Sequence, residues 1–318
     1  MPSPRFPIDE AYLIGGWAES FLWGCFTFLF FTTLYTTHVK NKRPVNFTIS
    51  AMLMLYLLAT AHMILALIRL IQGFVAYRET IGPARYFAQI STRINLAKDY
   101  IYITNLVLGD AVIVWRLYAV WARDIRMAIF PVLLVVAEAV TGYASCSLEL
   151  FPNARYETVA LWGTLMYSMS LVTNILVTAV VAFRIWYVSR SARLAGLGGV
   201  NYTKLLFLLI ESGALITSAK VVEFVLFQYV PADSAVHGMN ALYIVYECMP
   251  QITGIVPTLI VWAVNNGYTQ PDEYHMDSTV DLAFATSTQS ETTAVPSSST
   301  FSFLDAAKVG EATVETMV

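Results

Sequence analysis

Seven stretches of this chain, at about 11–36, 47–76, 98–122, 127–147, 159–187, 203–229 and 237–264, are apolar over roughly 20 residues or more. That is the length a helix needs to cross the roughly 30 Å hydrocarbon core of a bilayer. Only 13% of the residues are charged, against roughly 25% in a soluble globular domain. The expected fold is therefore an all-α, polytopic membrane protein: a seven-helix transmembrane bundle over residues 1–266, with the lipid bilayer as its main partner.

Lysine and arginine near the ends of membrane spans stay in the cytosol, which sets the orientation. Lys40, Lys42 and Arg43 follow the first span, while Arg5 precedes it together with Asp9 and Glu10. Arg123, Arg126, Arg184, Arg190, Arg193 and Lys204 fall in loops on the same side as Lys40. Nine basic residues then face six on the opposite side (Arg5, Arg78, Arg85, Arg93, Lys98 and Arg155). The expectation is N-terminus out and C-terminus in, an integral multi-pass protein of the plasma membrane or another endomembrane. The opening residues lack the basic stretch and cleavage site of a signal peptide. The sequons at Asn46 and Asn201 lie on the cytosolic side in this arrangement and are expected to carry no sugar.

From residue 267 the character changes. Half of residues 278–303 are serine or threonine, and from Asp272 onward eight acids meet a single lysine, Lys308. Such a segment buries too little apolar surface to offset its ordering entropy, so 267–318 reads as a disordered acidic tail. The end, Glu315-Thr316-Met317-Val318, has the pattern that adds as a strand to a PDZ-type groove. The body is mildly basic, with no basic stripe to suggest nucleic acid. Cys25, Cys146 and Cys248 lie in or beside apolar segments and read as free thiols.

Ionisable groups at the centre of a membrane helix cost about 2.5–3.5 kcal/mol each, so each needs a partner, a water-filled cavity or a route to the interface. GDAVIVWRLYAVW, Gly109 to Trp121, holds both Asp110 and Arg116. Six residues of helix set them roughly 120° and about 9 Å apart, so they do not pair with each other. Arg116 and Glu211 lie at matching depths in the third and sixth spans, which suggests a cross-helix pair; the alternative is that Arg116 snorkels to lipid phosphates. Near mid-membrane, Asp110 has His62, Lys220 and Glu247 as possible partners, and Lys220 also has Glu223 one turn away. Glu19, Glu138, Asn105 and Asn174 add further polarity. The set reads either as a cavity for ligand, ion or proton or as interhelical hydrogen bonding. Pro250 and Pro257 fall within the last span and are expected to bend it.

Several functions are argued against. The last span has no lysine for a retinal Schiff base. Of the four histidines only His62 lies well inside a span, too few for a zinc-dependent membrane hydrolase. No P-loop or nucleophile elbow occurs. Neither an enzymatic activity nor a cofactor is expected.

GDAVIVWRLYAVW, TNILVTAVVAFRIW (Thr173 to Trp186), ESGALITSAK (Glu211 to Lys220) and GIVPTLIVW (Gly254 to Trp262) resemble a set of seven-helix membrane proteins of mushroom-forming (basidiomycete) fungi. The resemblance spans most of residues 11–264 and implies a seven-helix topology without assigning a site. The chain is similar more loosely to G-protein-coupled receptors: an arginine near the inner end of the third span, an acid at similar depth on the sixth, a hydroxyl-rich tail. It departs from their pattern, since Arg116 is followed by Leu117 and Tyr118, and the last span lacks Asn-Pro-x-x-Tyr. That likeness implies a receptor-like sensor whose loop between the fifth and sixth spans, 189–204, meets a cytosolic signalling protein. An ion- or proton-coupled transporter or channel and a non-catalytic scaffold remain the alternatives.

Overall fold

The computed structural model describes residues 6–39, 46–151, 155–194, 202–229 and 240–266. The tail, the PDZ-type terminus, residues 195–201 of the 189–204 loop and the side chains of both sequon asparagines lie outside the described residues. Among the described residues the regular elements are helices: α1 (Ile8–Val39), α2 (Asn46–Ile71), α3 (Pro83–Ala88), α4 (Arg93–Val120), α5 (Ile125–Leu148), α6 (Tyr156–Leu194), α7 (Tyr202–Gln228) and α8 (Leu242–Asn265). A single π-helical turn, Gln72–Ala76, extends α2.

Six of these helices (α1, α2, α4, α5, α6 and α8) are long and apolar enough to cross a membrane. This is the architecture of a multi-pass membrane protein. Its surface agrees. Trp17, Phe28, Phe21, Leu133 and Val140 stand on the outside, whereas Glu19, His62, Arg69, Lys98, Asp110, Glu138, Lys220 and Glu247 are buried. A water-soluble fold distributes these residues the other way round.

The helices hold together by small-residue contacts as well as by charge. Gly109 of α4 lets Thr253 of α8 approach its backbone, and Gly254 of α8 receives the ring of Phe26 from α1. Close approach at glycine is the usual way membrane helices pack, because lipid supplies no hydrophobic drive between them. α8 packs on α1, α2, α4 and α7, and α4 on α2, α5, α6 and α8. These two helices form the centre of the bundle. α8 continues as one helix through both Pro250 and Pro257.

At the end where α1 begins, the short α3 covers the bundle. Phe87 is fully buried against Tyr12, with ring centroids 4.9 Å apart, and Phe74 lies 5.3 Å from it. At the other end α4 turns into α5 within a few residues. Ala122 and Arg123 take left-handed φ values of 53° and 63°, which side chains other than glycine adopt at a cost. Asp124 then caps α5 by accepting a hydrogen bond from the Arg126 N–H at 3.0 Å.

Candidate functional site

The polar residues of α4 recur at 95, 98/99, 102, 105 and 110, three to five positions apart except for the adjacent pair Lys98 and Asp99, and so share one inward stripe. Four groups of side chains gather along it.

Nearest the α3 cap, Arg69 of α2 is buried and hydrogen-bonds to Asn95 Oδ1 and, at 3.1 Å, to the Phe87 carbonyl. Its guanidinium also lies 4.4 Å from the centre of the Tyr12 ring, a cation–π contact. Asp99 accepts from Tyr246 Oη and Asn95 Nδ2, each at 2.7 Å.

One turn deeper, Lys98 of α4 forms a buried ion pair with Glu247 of α8. Its ammonium is flanked by the Tyr12 and Tyr246 rings at 5.1 and 5.4 Å. Close by, His62 Nδ1 and Glu19 Oε1 are 2.7 Å apart, Gln251 donates to Glu19 and to the Ala59 carbonyl, and the Tyr102 hydroxyl donates to Glu223. Glu19, His62 and Glu247 offer ligand atoms within 4.8 Å of one another, as a metal centre would require. The Lys98 ammonium, however, already occupies one oxygen of Glu247.

At mid-bundle, Lys220 of α7 donates to Asp110 Oδ1 at 2.6 Å and to Ser170 Oγ of α6 at 2.7 Å. Ser170 donates in turn to Asp110 Oδ2 at 2.7 Å. Glu138 of α5 lies beside this group with neither carboxylate oxygen hydrogen-bonded.

Towards the far end of α4, Arg116 donates to the Pro257 carbonyl of α8 at 3.0 Å. It lines a cavity of about 40 Å³ between α4, α6, α7 and α8, together with Asn174, Thr253 and the Asp110–Lys220 pair. Asn174 is fully buried, and neither of its amide polar atoms has a hydrogen-bond partner.

The residues singled out from sequence therefore fall into separate groups. Asp110 takes Lys220 as its partner and not His62, which goes to Glu19; Glu247 goes to Lys98. Lys220 does not use Glu223, whose carboxylate is taken by Tyr102. The expected Arg116–Glu211 pair does not form. Glu211 is exposed, and nine residues of helix separate it from the buried Lys220, which turns it to the opposite side of α7. Arg69, Lys98, Asp99, Tyr102 and Ser170 were not anticipated as site residues. Lys98 was assigned to a loop because it stands at a span's edge. The three- and four-residue spacing along α4 and the seven-residue step from His62 to Arg69 mark the missing faces.

Outside the spans, Glu149 follows α5. Burial first, and then the nearby Asp99 carboxylate, push its carboxyl up to about 8. Comparison with family models, with curated proteins and with solved structures gives no match for this chain.

Proposed function

We propose that this protein is a receptor-like seven-helix membrane sensor, in which α7 crosses the membrane along with the six long apolar helices, with the start of α1 outside and the tail in the cytosol. The observation that carries the reading is the polar stripe of α4. It runs from Lys98–Glu247 beneath the α3 cap, through Asp110–Lys220–Ser170, to Arg116 on the Pro257 carbonyl. Each step binds α4 to other helices. A shift of α4 at the capped end would therefore exchange one set of partners for another and would not slide smoothly, as a two-state element requires. A ligand that binds one arrangement more tightly would shift the population towards it. The loop at 189–204 would meet the cytosolic signalling protein, and the Ser/Thr-rich tail would tune that contact through phosphorylation.

Ion- or proton-coupled transport is the second reading. Glu138, Glu19, Glu223 and Glu247 each carry at least one buried carboxylate oxygen without a partner, three of them in the group beneath the cap and Glu138 beside Asp110 at mid-bundle.

Two experiments test these readings. A tag placed after Val318 should be digested by protease added outside sealed microsomes that keep the cytosolic face outward; protection of the tag ends the receptor reading. The full chain reconstituted with heterotrimeric G proteins should then accelerate nucleotide exchange, and Asp110→Asn should change the rate. Proton or charge movement in vesicles, lost in Asp110→Asn and without any exchange response, would establish the transporter instead.

A further inference from the structure

Among the described residues, Arg116 is a charge without a counter-charge. Its guanidinium stays protonated at any physiological pH, and the side chain makes one hydrogen bond, to a neutral carbonyl. Among the described residues no carboxylate pairs with it. The acid at matching depth, Glu211, faces away on the exposed side of α7. The cavity beside Arg116 has mostly aliphatic walls, including Ile113, Val177, Ile216 and Ile260, which screen charge poorly. Lys220 and Asp110 also line it, but they neutralise each other across 2.6 Å. Glu138, beside Asp110, is not part of the lining. The charged residues of the wall thus leave one uncompensated positive charge.

We propose that this cavity binds one small monovalent anion of the halide class as the counter-ion of Arg116. Three features define the ligand. The charge balance calls for a single negative charge. The volume of about 40 Å³ takes on the order of three water-sized probes, room for a halide but not for a phospholipid headgroup. Asn174 adds polarity to the wall, fully buried with its amide nitrogen and oxygen unpartnered. An amide N–H and a guanidinium N–H are the donors an anion takes up in a low-dielectric site. The inference is independent of the sensor reading, since a sensor, a transporter and a scaffold would each need this charge balanced.

The test uses the full chain in a neutral, lipid-free detergent, with its thermal midpoint followed as gluconate is replaced by chloride or bromide at constant ionic strength. The midpoint should rise with halide and saturate as for a single site, while sulfate at the same ionic strength should give no comparable rise. Arg116→Gln should raise the half-saturating chloride concentration more than tenfold, and Asn174→Leu severalfold. Because Arg116→Gln could fail to fold, bromide anomalous scattering from crystals of the unaltered protein supplies a measurement that needs no variant: a peak should lie beside the Arg116 guanidinium. A halide-independent midpoint, an equal response in Arg116→Gln, a response to added phospholipid alone, or bromide-soaked crystals without that peak would each overturn the proposal. A phospholipid-only response would identify a lipid phosphate as the counter-ion.

Discussion

Lys220 and Asp110 meet across a gap. Among the described residues α4 and α7 scarcely pack on each other, yet the Lys220 ammonium reaches Asp110 Oδ1 at 2.6 Å, with Ser170 of α6 closing the group from a third helix. Removing one partner strands the other charge in the interior. Asp110→Asn is expected to destabilise the protein by about 3–5 kcal/mol, whereas Asp110→Leu combined with Lys220→Met should recover most of that loss. Cys146 and Cys248 are buried free thiols, so a thiol-reactive dye during a thermal ramp reports the unfolding of each variant.

Arg116 and Glu211 should behave as strangers. Glu211→Ala changes an exposed side chain and is expected to alter stability by no more than about 0.5 kcal/mol. Combined with Arg116→Ala, the two effects should add within about 0.5 kcal/mol. A coupling well above that, in the same thermal assay, would mean that the two side chains do meet.

The α4–α8 contact rests on a missing side chain. A Cβ at Gly109 would collide with Thr253 Cγ2, so Gly109→Ala should cost about 1–3 kcal/mol through overpacking. Thr253→Ser removes the colliding methyl and should rescue Gly109→Ala in the double variant. If the double variant is no more stable than Gly109→Ala alone, the two helices are not this close.

Glu149 gives stability a pH dependence of definite sign. Its carboxyl lies at about 8 in the fold, against an ordinary value of 4.5. The folded protein therefore holds this proton where the unfolded chain has lost it. The contribution is fully present below about pH 4.5 and disappears as pH climbs through about 8. The thermal midpoint of the unaltered protein should fall between those limits, and Glu149→Gln should flatten that part of the profile.

Much of this was legible in the sequence, and the limit is rotational. Span length and apolarity set the helices, because a bilayer accepts few other structures. The interior positions of Asp110, His62, Lys220, Glu247 and Asn174 follow from their depth within apolar runs, and the structure buries all five. Depth says nothing about which way a side chain faces. Arg116 and Glu211 match in depth and miss in azimuth, whereas Asp110 and Lys220 match in both. Arg69 and Lys98 escaped notice because charges near span ends usually belong to the interface. Here the α3 cap covers that end, and their buried positions depend on a short helix whose packing no local pattern announces.

The partners of α4 are distant in sequence, and that has a consequence for biosynthesis. Lys220 follows Asp110 by 110 residues, and Glu247 follows Lys98 by 149. At a synthesis rate of about 5–20 residues per second, those partners emerge roughly 5–30 seconds later. Until then α4 holds Lys98, Asp99, Asp110 and Arg116 without the later helices that satisfy most of them. Newly made α4 is therefore a poor passenger for the bilayer on its own. It should linger at the insertion machinery, or beside an intramembrane chaperone, until α7 and α8 arrive, and nascent chains that end before α7 should be the ones recognised and degraded.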